Sequence, residues 1–328
     1  MKSPVVVIGS FNQDLAFATK QFPRPGETVV GDFRTGPGGK GFNQAIAASR
    51  AGVGTQFIGA VGADAFGAEA RRFAQAEKLS AHFIAKPKHP TGCASIVVNG
   101  DGQNEVIIAL GANLALRPRD LPAEIFRRAE VVVCQAESDY ATIAHVLRTA
   151  RTLGAITVFN PAPMRAEFDV ALLQHTSVLI PNETEFVALV HRVPACGALL
   201  GTKNLPASGE FTEASLRTLS HDLLHQLCRA LGVPVVIVTL GSRGCFVSHP
   251  DGGQLIAAHA VDAIDTTGAG DAFVGGFAAG LVKFQHHVIE AAHYASAVAA
   301  LSVTRVGTAP SMPREREIAR FLRQRARK

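Results

Sequence analysis

The chain has 328 residues, so it could form one large α/β domain or two smaller ones, with a sizeable core in either case. Its five cysteines lie far apart without a Cys-x-x-Cys pair, which argues against a zinc site and indicates free thiols in a reducing compartment. The formal charge of +5 lies wholly in residues 314–328, where seven Lys or Arg accompany two Glu. Such a tail is more typical of a solvated helix end than of a nucleic-acid-binding arm, although the second use stays open here.

The first residues, "MKSPVVVIGSFNQD", become polar too early for a signal peptide, and no apolar run reaches the about 20 residues of a membrane span. Trp is absent and there are only two Tyr, which further disfavours binding to nucleic acid. We therefore expect a cytoplasmic protein with neither a membrane nor a nucleic acid among its partners.

Strand and helix patterns alternate from the N-terminus, and this order predicts a sheet with helices on its faces. The first predicted elements are a buried strand (5–10), a helix ended by Gly52 (40–52), a strand (55–62) and an amphipathic helix (66–79). Near-continuous Val and Ile runs, typical of parallel strands covered on both faces, follow at 130–135, 156–163, 177–183 and 233–241. The remaining predicted elements are a helix (213–231), a hairpin (244–249 with 253–261) and two apolar helices near 271–284 and 287–303.

Two stretches depart from this order of strands and helices, because their apolar and polar residues alternate as in strands around glycine turns. Residues 27–36 and 92–111 pair like antiparallel strands, which predicts a small appended sheet that acts as a lid. We therefore expect one domain over residues 1–328, with lid strands from about 13–37 and 91–111. Residues 191–212 are irregular and rich in Pro and Gly, so we interpret them as a surface insertion whose function is open.

The stretch "DTTGAGDAF" (265–273) places a carboxylate at the start of an apolar helix. Gly268, Ala269 and Gly270 leave the backbone open to close approach, and the first N–H groups of the helix form an anion site. Asp271 then lies where it could accept a proton from a hydroxyl that attacks a phosphoryl group. Helix capping is the alternative for Asp271, but capping does not account for the Gly-Ala-Gly sequence before it.

A second glycine-rich turn, "TGPGGKGFNQA" (35–45), also enters a helix. It is not a phosphate-binding P-loop, because Gly rather than Ser or Thr follows Lys40. Lys40 and Asn43 suit a hydroxyl-rich ligand, and plain solvent exposure is the alternative for both. Asn12 and Asp14 follow the first strand, at the edge of the sheet where ligands collect, although Asp14 could instead be a solvated loop carboxylate or serve only a turn.

Taken together, these motifs resemble those of the ribokinase family of sugar kinases, the PfkB carbohydrate kinases. The resemblance covers nearly the whole chain and is carried by GSFNQD, PGETV, GGKGFNQA, GCASIVVNGDGQNEVI, GAN, NPAP, PNETE, TLGSRG, DTTGAGDAF and VTRVGTAPSMP. It implies a three-layer α/β sandwich with a mostly parallel central sheet and a small antiparallel β-sheet lid, through which a homodimer often forms. It also implies ATP-dependent phosphorylation of a sugar hydroxyl, with the 5-hydroxyl of D-ribose favoured and another sugar or a nucleoside as the alternative.

The resemblance further implies roles for the residues that match its motifs. The sugar would contact Asn12, Asp14, Gly39, Lys40, Asn43 and Glu137, and the catalytic turn would consist of Gly268, Ala269, Gly270 and the general base Asp271. The nucleotide would lie against Asn182, Thr239, Gly241, Ser242, Gly244, Gly270 and Ser296. A monovalent cation, K⁺, would bind at Asp265, Thr267, Ser302, Arg305, Gly307 and Ser311, while Mg²⁺ would arrive with ATP near Glu183 and Glu185.

Two departures from the family pattern concern the pockets. Phe42 stands where a small residue is usual in GGKGxNQA, so the shape of the sugar pocket could differ. Ser296 stands where His or Asn is usual beside the adenine. A non-catalytic sugar-binding protein on the same scaffold is a further alternative, but it predicts the loss of Asp271 or of the glycine turn, and both are present.

Overall fold

The computed structural model describes residues 4–201 and 210–325 of the chain. The strands are β1 (Val5–Ile8), β2 (Asn12–Ala18), β3 (Asp32–Gly38), β4 (Thr55–Val61), β5 (Ser80–Ala85), β6 (Gly92–Val98), β7 (Asn104–Ala109), β8 (Val131–Gln135), β9 (Ile156–Asn160), β10 (Val178–Leu179), β11 (Val235–Thr239), β12 (Cys245–His249) and β13 (Gly252–Ile256). The helices are α1 (Lys40–Arg50), α2 (Ala65–Ala76), α3 (Glu124–Arg127), α4 (Tyr140–Thr152), α5 (Glu183–Arg192), α6 (Pro194–Leu200), α7 (Glu213–Thr218), α8 (His221–Ala230), α9 (Ala269–Lys283), α10 (Val288–Ser302) and α11 (Glu315–Arg325).

Nine strands form the central sheet, in the order β13-β12-β11-β10-β9-β8-β1-β4-β5. Along the sheet from β5 to β11 all pairs are parallel, whereas the β11–β12 and β12–β13 pairs at one edge are antiparallel. The parallel strands are rich in buried Val and Ile, as a sheet covered on both faces requires.

Helices cover both faces of this sheet, and alternate residues of β1 show the division. Val5 and Val7 belong to a core that includes residues of α1, α2, α9 and α10. Val6 and Ile8 belong to a second core with residues of α4, α5 and α8 on the opposite face. The predicted three-layer α/β sandwich is therefore confirmed.

A separate four-stranded sheet, which we call the lid, has the order β3-β2-β6-β7. Its outer pairs are antiparallel as predicted, whereas β2 and β6 in the middle run parallel. The first lid strand, β2, starts four residues after β1 ends, so Asn12 and Asp14 lie on a strand. Asp14 lies within the predicted lid strands, and the alternative of a solvated loop carboxylate does not hold, because its backbone pairs with both β3 and β6.

The segment 191–212 differs from its predicted irregular surface course. Helix α6 occupies Pro194–Leu200, and its Cys196 and Leu200 are buried in the second core. Pro194 contributed to the prediction of an irregular segment, but proline is also favoured in the first turn of a helix. Residues 202–209 of the segment lie outside the described residues. The predicted helix at 213–231 is in fact two helices, because Ser220 caps a new start at α8.

All five cysteines are free, which agrees with the predicted thiols. Within the two described ranges, no helix is long and apolar enough to cross a membrane.

Candidate active site

The start of α9 meets the first turn of α1 at the carboxyl edge of the central sheet. Asp271 is only 6% exposed there, and its two carboxylate oxygens accept hydrogen bonds from Asn43 Nδ2 and Gln44 Nε2, both at 2.9 Å. Gly268 precedes the helix with a φ of 80°, in the left-handed region that glycine adopts without strain. The turn thus directs a buried carboxylate at the glycine-rich entry of α1.

The backbone donors of this turn are not all free. The N–H of Ala269 donates to the Thr266 carbonyl at 3.2 Å, so it is already used. Among the described residues, no acceptor faces the N–H groups of Gly270 and Asp271. The N–H groups of Gly270 and Asp271 are therefore available to an anion at this turn, whereas that of Ala269, which we expected among the donors, is used by Thr266.

Gln44 connects Asp271 to the sheet through a buried chain of amides. Its Oε1 accepts a hydrogen bond of 2.6 Å from Gln135 Nε2, and its Nε2 also lies 3.2 Å from Asn160 Oδ1. Asn160 in turn donates to the Ile180 carbonyl at 2.8 Å. Sequence reasoning missed Gln44, although it stands directly after Asn43 in the same motif and is fully buried.

Glu137, at the end of β8, is a second buried carboxylate. It accepts hydrogen bonds from Ser10 Oγ at 2.5 Å, Asn12 Nδ2 at 3.2 Å and the Lys40 N–H at 3.0 Å. Burial raises the pKa of Glu137, and the charge of Lys40 together with the hydrogen bonds from Ser10 and the Lys40 N–H opposes that effect only in part. Asn113, which sequence reasoning also missed, fixes Asn12 by donating to its Oδ1 at 2.9 Å.

Asp14 lies beside this cluster on the lid strand β2. Burial, supported by the nearby charges of Glu137 and Asp271, raises the pKa of Asp14 to about 7. A hydrogen bond from Thr308 Oγ1, at 2.8 Å, offsets part of that effect. Asp14 therefore changes its charge near neutral pH.

Lys40 is the cation among these carboxylates. Burial alone would lower its pKa, but the charges of Asp271, Glu137 and Glu185 outweigh burial and raise it. Lys40 therefore stays protonated where the glycine-rich turn enters α1.

A cleft of about 760 Å³ runs from Lys40 and Asp271 across the ends of the strands. Every residue predicted to contact the nucleotide lines it, namely Asn182, Thr239, Gly241, Ser242, Gly244, Gly270 and Ser296. Asn182 caps α5 and forms a capping box with Glu185, whose pKa is raised by burial. Glu183, also in the cleft, forms an ion pair of 2.6 Å with Arg243.

The residues predicted for a monovalent cation lie on two segments, 265–267 and 302–311, that Asp265 joins. Its carboxylate accepts hydrogen bonds from the N–H groups of Thr267 and Gly307, both at 2.9 Å. The hydroxyls of Ser302 and Ser311 donate to the carbonyls of residues 299 and 308, each at 2.8 Å. The Arg305 guanidinium instead pairs with Glu317 on α11, so only the backbone of Arg305 is free to face these segments.

Phe42 does not line the cleft, although its position in the motif suggested that it could change the shape of the sugar pocket. Its side chain is fully buried, and its ring lies 5.2 Å from the rings of Phe11 and Phe57 in edge-on contact. Asn43 and Gln44 of the same helix face the site instead. The substitution in the GGKGxNQA motif is thus accommodated by the core.

Comparison with known proteins agrees with this geometry. The model of the family described as "pfkB family carbohydrate kinase" matches residues 2–315. The ribokinase of Mus musculus is 34% identical over 322 residues, covering 96% of this chain and 93% of that protein. Among solved structures, the ribokinase of Giardia lamblia superposes with a TM-score of 0.87 at 30% identity, covering 99% of both chains. A ribokinase of Arabidopsis thaliana solved with ribose and ATP gives a TM-score of 0.79 at 29% identity, covering 98% of this chain and 99% of that one.

The fold, the two glycine turns and the buried carboxylates thus define an ATP-dependent sugar kinase. The chain belongs to the pfkB family of carbohydrate kinases.

Proposed function

We propose that this protein transfers the γ-phosphoryl group of ATP to the 5-hydroxyl of D-ribose. The observation that carries the proposal is the place of Asp271, where the large cleft meets the buried polar cluster of Asn12, Asn43 and Glu137. The similar ribokinase of Arabidopsis thaliana, which was solved with ribose and ATP, supports ribose as the sugar.

In the proposed reaction, Asp271 accepts the proton of the attacking sugar hydroxyl. The hydroxyl oxygen forms a bond to the γ-phosphorus while the bond from that phosphorus to the bridging oxygen breaks, and ADP leaves with the electron pair. The N–H groups of Gly270 and Asp271 stabilise the negative charge on the transferred group, and the Lys40 ammonium adds to the positive field. Asn43 and Gln44 hold the Asp271 carboxylate in position.

The buried cluster offers unused acceptors to a sugar. Among the residues that the structure describes, Asn43 Oδ1 has no hydrogen-bond partner although it is buried, whereas the amide nitrogen of the same group is paired with Asp271. A buried acceptor without a donor is costly, and a sugar hydroxyl would satisfy it. We assign Asn12, Asp14, Gly39, Lys40, Asn43 and Glu137 to the sugar and the cleft residues named above to the nucleotide.

Two metal ions belong to the proposal. The two segments joined by Asp265 would hold K⁺, because the Asp265 carboxylate fixes their backbones, whose carbonyl oxygens would be the ligands. Glu183 and Glu185 in the cleft fit an indirect role near Mg²⁺, which keeps several waters when it arrives with nucleotide phosphates. Both cations would neutralise phosphate charge.

We further propose that the protein is a cytoplasmic homodimer formed through the lid. The support is the set of exposed apolar side chains on one face of the lid, which includes Phe17, Phe33 and Ile107. The rings of Phe17 and Phe33 lie 5.0 Å apart, so they form one patch.

The test is ATP turnover with D-ribose against a panel of other sugars and nucleosides, first with K⁺ and then with Na⁺. The proposal predicts that ribose gives the highest kcat/KM and that K⁺ supports a faster reaction than Na⁺. Preference for another sugar would contradict the assigned substrate while leaving the role of Asp271 standing. Turnover of no member of the panel would contradict the proposed function as a whole.

A further inference from the structure

Thr308 lies where the lid, the sugar cluster and the proposed cation site meet, and it is not among the residues to which the sequence motifs assign a role. It is 7% exposed and precedes a short 3-10 turn at Ala309–Ser311. Its hydroxyl lies 2.8 Å from Asp14 Oδ2 and 3.1 Å from the Pro37 carbonyl of β3. A single side chain thus contacts both lid strands that border the sugar cluster.

The Asp14 carboxylate depends on this contact. In the part of the chain that the structure describes, Thr308 is its one hydrogen-bond donor. Gly38 of β3, which pairs with Asn12, leaves the space that the Asp14 carboxylate occupies, since a Cβ atom there would lie 2.2 Å from Asp14 Oδ2. The direction of the carboxylate is therefore set by a neighbouring glycine and by the threonine hydroxyl.

The backbone next to Thr308 leads to the phosphate-binding turn. The N–H of Gly307 donates to Asp265 Oδ2 at 2.9 Å, and Asp265 Oδ1 accepts from the Thr267 N–H. Gly268 packs against Thr308 itself, where a Cβ atom would lie 3.4 Å from the Thr308 Cα. A shift of Thr308 would thus displace the start of α9 as well as the Asp14 carboxylate.

We propose that Thr308 is a positioning residue that couples sugar binding at Asp14 to nucleotide binding at the 265–271 turn. Its hydroxyl fixes the Asp14 carboxylate for the sugar, while its backbone contacts fix the turn that receives the phosphates. Sugar and nucleotide should then each increase the affinity for the other, because either ligand orders the same segment. This inference rests on the proposed function, since it takes Asp14 as a ligand of the sugar.

The test replaces only the hydroxyl, with Thr308→Val, and restores it with Thr308→Ser. Calorimetry would measure the Kd for D-ribose alone and with a non-hydrolysable ATP analogue. We expect Thr308→Val to raise the Kd and the KM for ribose about tenfold, with a smaller effect on kcat, because one hydrogen bond to a charged group is lost. The gain in ribose affinity caused by the nucleotide analogue should shrink as well, whereas Thr308→Ser should behave nearly as the wild type.

Thr176→Val is the matched control, because Thr176 is also buried and, among the described residues, its hydroxyl bonds only the backbone carbonyl of Leu172, away from the site. It should leave the Kd for ribose unchanged, even if the melting temperature falls.

An unchanged Kd and an unchanged coupling in Thr308→Val would overturn the proposal. If the wild type phosphorylates another sugar instead, the same titrations with that sugar test the proposed role of Thr308. If the wild type neither binds nor phosphorylates any sugar, the proposed function fails and this inference fails with it.

Discussion

Gln44 Nε2 lies 2.9 Å from Asp271 Oδ1, although the two residues are 227 positions apart in the chain. The contact joins α1 to α9 across the carboxyl edge of the sheet, and the Gln135–Gln44 hydrogen bond extends it to β8. The proposed base is therefore oriented by an amide whose own orientation is fixed from the sheet.

Gln44→Met should impair catalysis without closing the site. The substitution keeps the length of the side chain but removes a donor to Asp271, so we expect kcat to fall about tenfold. It also leaves Gln135 Nε2 buried without an acceptor, which should lower the free energy of unfolding by about 1–3 kcal/mol. Steady-state kinetics and denaturant unfolding measure the two effects, with the exposed Gln75→Met as control. A wild-type kcat would show that Gln44 does not orient the base.

Gly270→Ala should separate stability from activity. A Cβ atom at Gly270 would lie more than 4 Å from every described residue outside its own turn, so the change fits the fold and should stabilise α9 by up to about 1 kcal/mol. The same methyl group would project into open space at the cleft, where the transferred phosphoryl group is proposed to lie. We expect a slightly higher melting temperature together with a lower kcat/KM for ATP.

Gly268→Ala is the matched comparison for that variant. Gly268 has a φ of 80°, so alanine there should destabilise the protein by about 1–2 kcal/mol. Equal activity of Gly270→Ala and the wild type would argue against an anion-binding turn.

Asp14 should make sugar binding depend on pH. Its folded-state pKa of about 7 exceeds the ordinary 3.8, so the folded protein holds a proton that the unfolded chain releases between these values. The contribution of Asp14 to stability is then greatest below pH 4 and is lost as the pH rises to 7. Sugar hydroxyls donate to the ionised form, so ribose affinity should rise up to about pH 7 and then level off.

Calorimetry in buffers of different ionisation enthalpy checks this prediction through the protons released on binding. At pH 6, ribose binding should release a large part of one proton in the wild type and much less in Asp14→Asn. Equal proton release by both proteins would assign the titration to another group.

The apolar patch on the lid should govern assembly. The double variant Phe33→Lys/Ile107→Lys places two charges on side chains that are 54% and 76% exposed, so the fold should be kept and a dimer through the lid disrupted. Sedimentation velocity should show a dimer for the wild type and a monomer for the variant. Leu153→Lys, at an exposed apolar position after α4, should remain a dimer. A dimeric double variant would place the interface elsewhere.

The sequence allowed the layers of the fold to be predicted because each buried strand carries its own apolar run. The glycine turns and Asp271 were also predictable, since short motifs contain them entirely. The roles of Gln44, Asn113 and Thr308 were not predictable, because each depends on a partner about 100 or more residues away in the chain. Whether Phe42 faces the ligand or the core likewise depends on the rotation of α1, which only the packed structure fixes.

The most direct test of the account is Asp271→Asn, measured for both kcat and ribose Kd. The variant should fold, because Asn43 can turn its unpaired Oδ1 toward the new amide. The account predicts that kcat falls by about 10²–10⁴ while the ribose Kd stays within a few-fold of the wild type. A variant that binds ribose and keeps most of its turnover would contradict the account, and Asp271 would then be a helix cap.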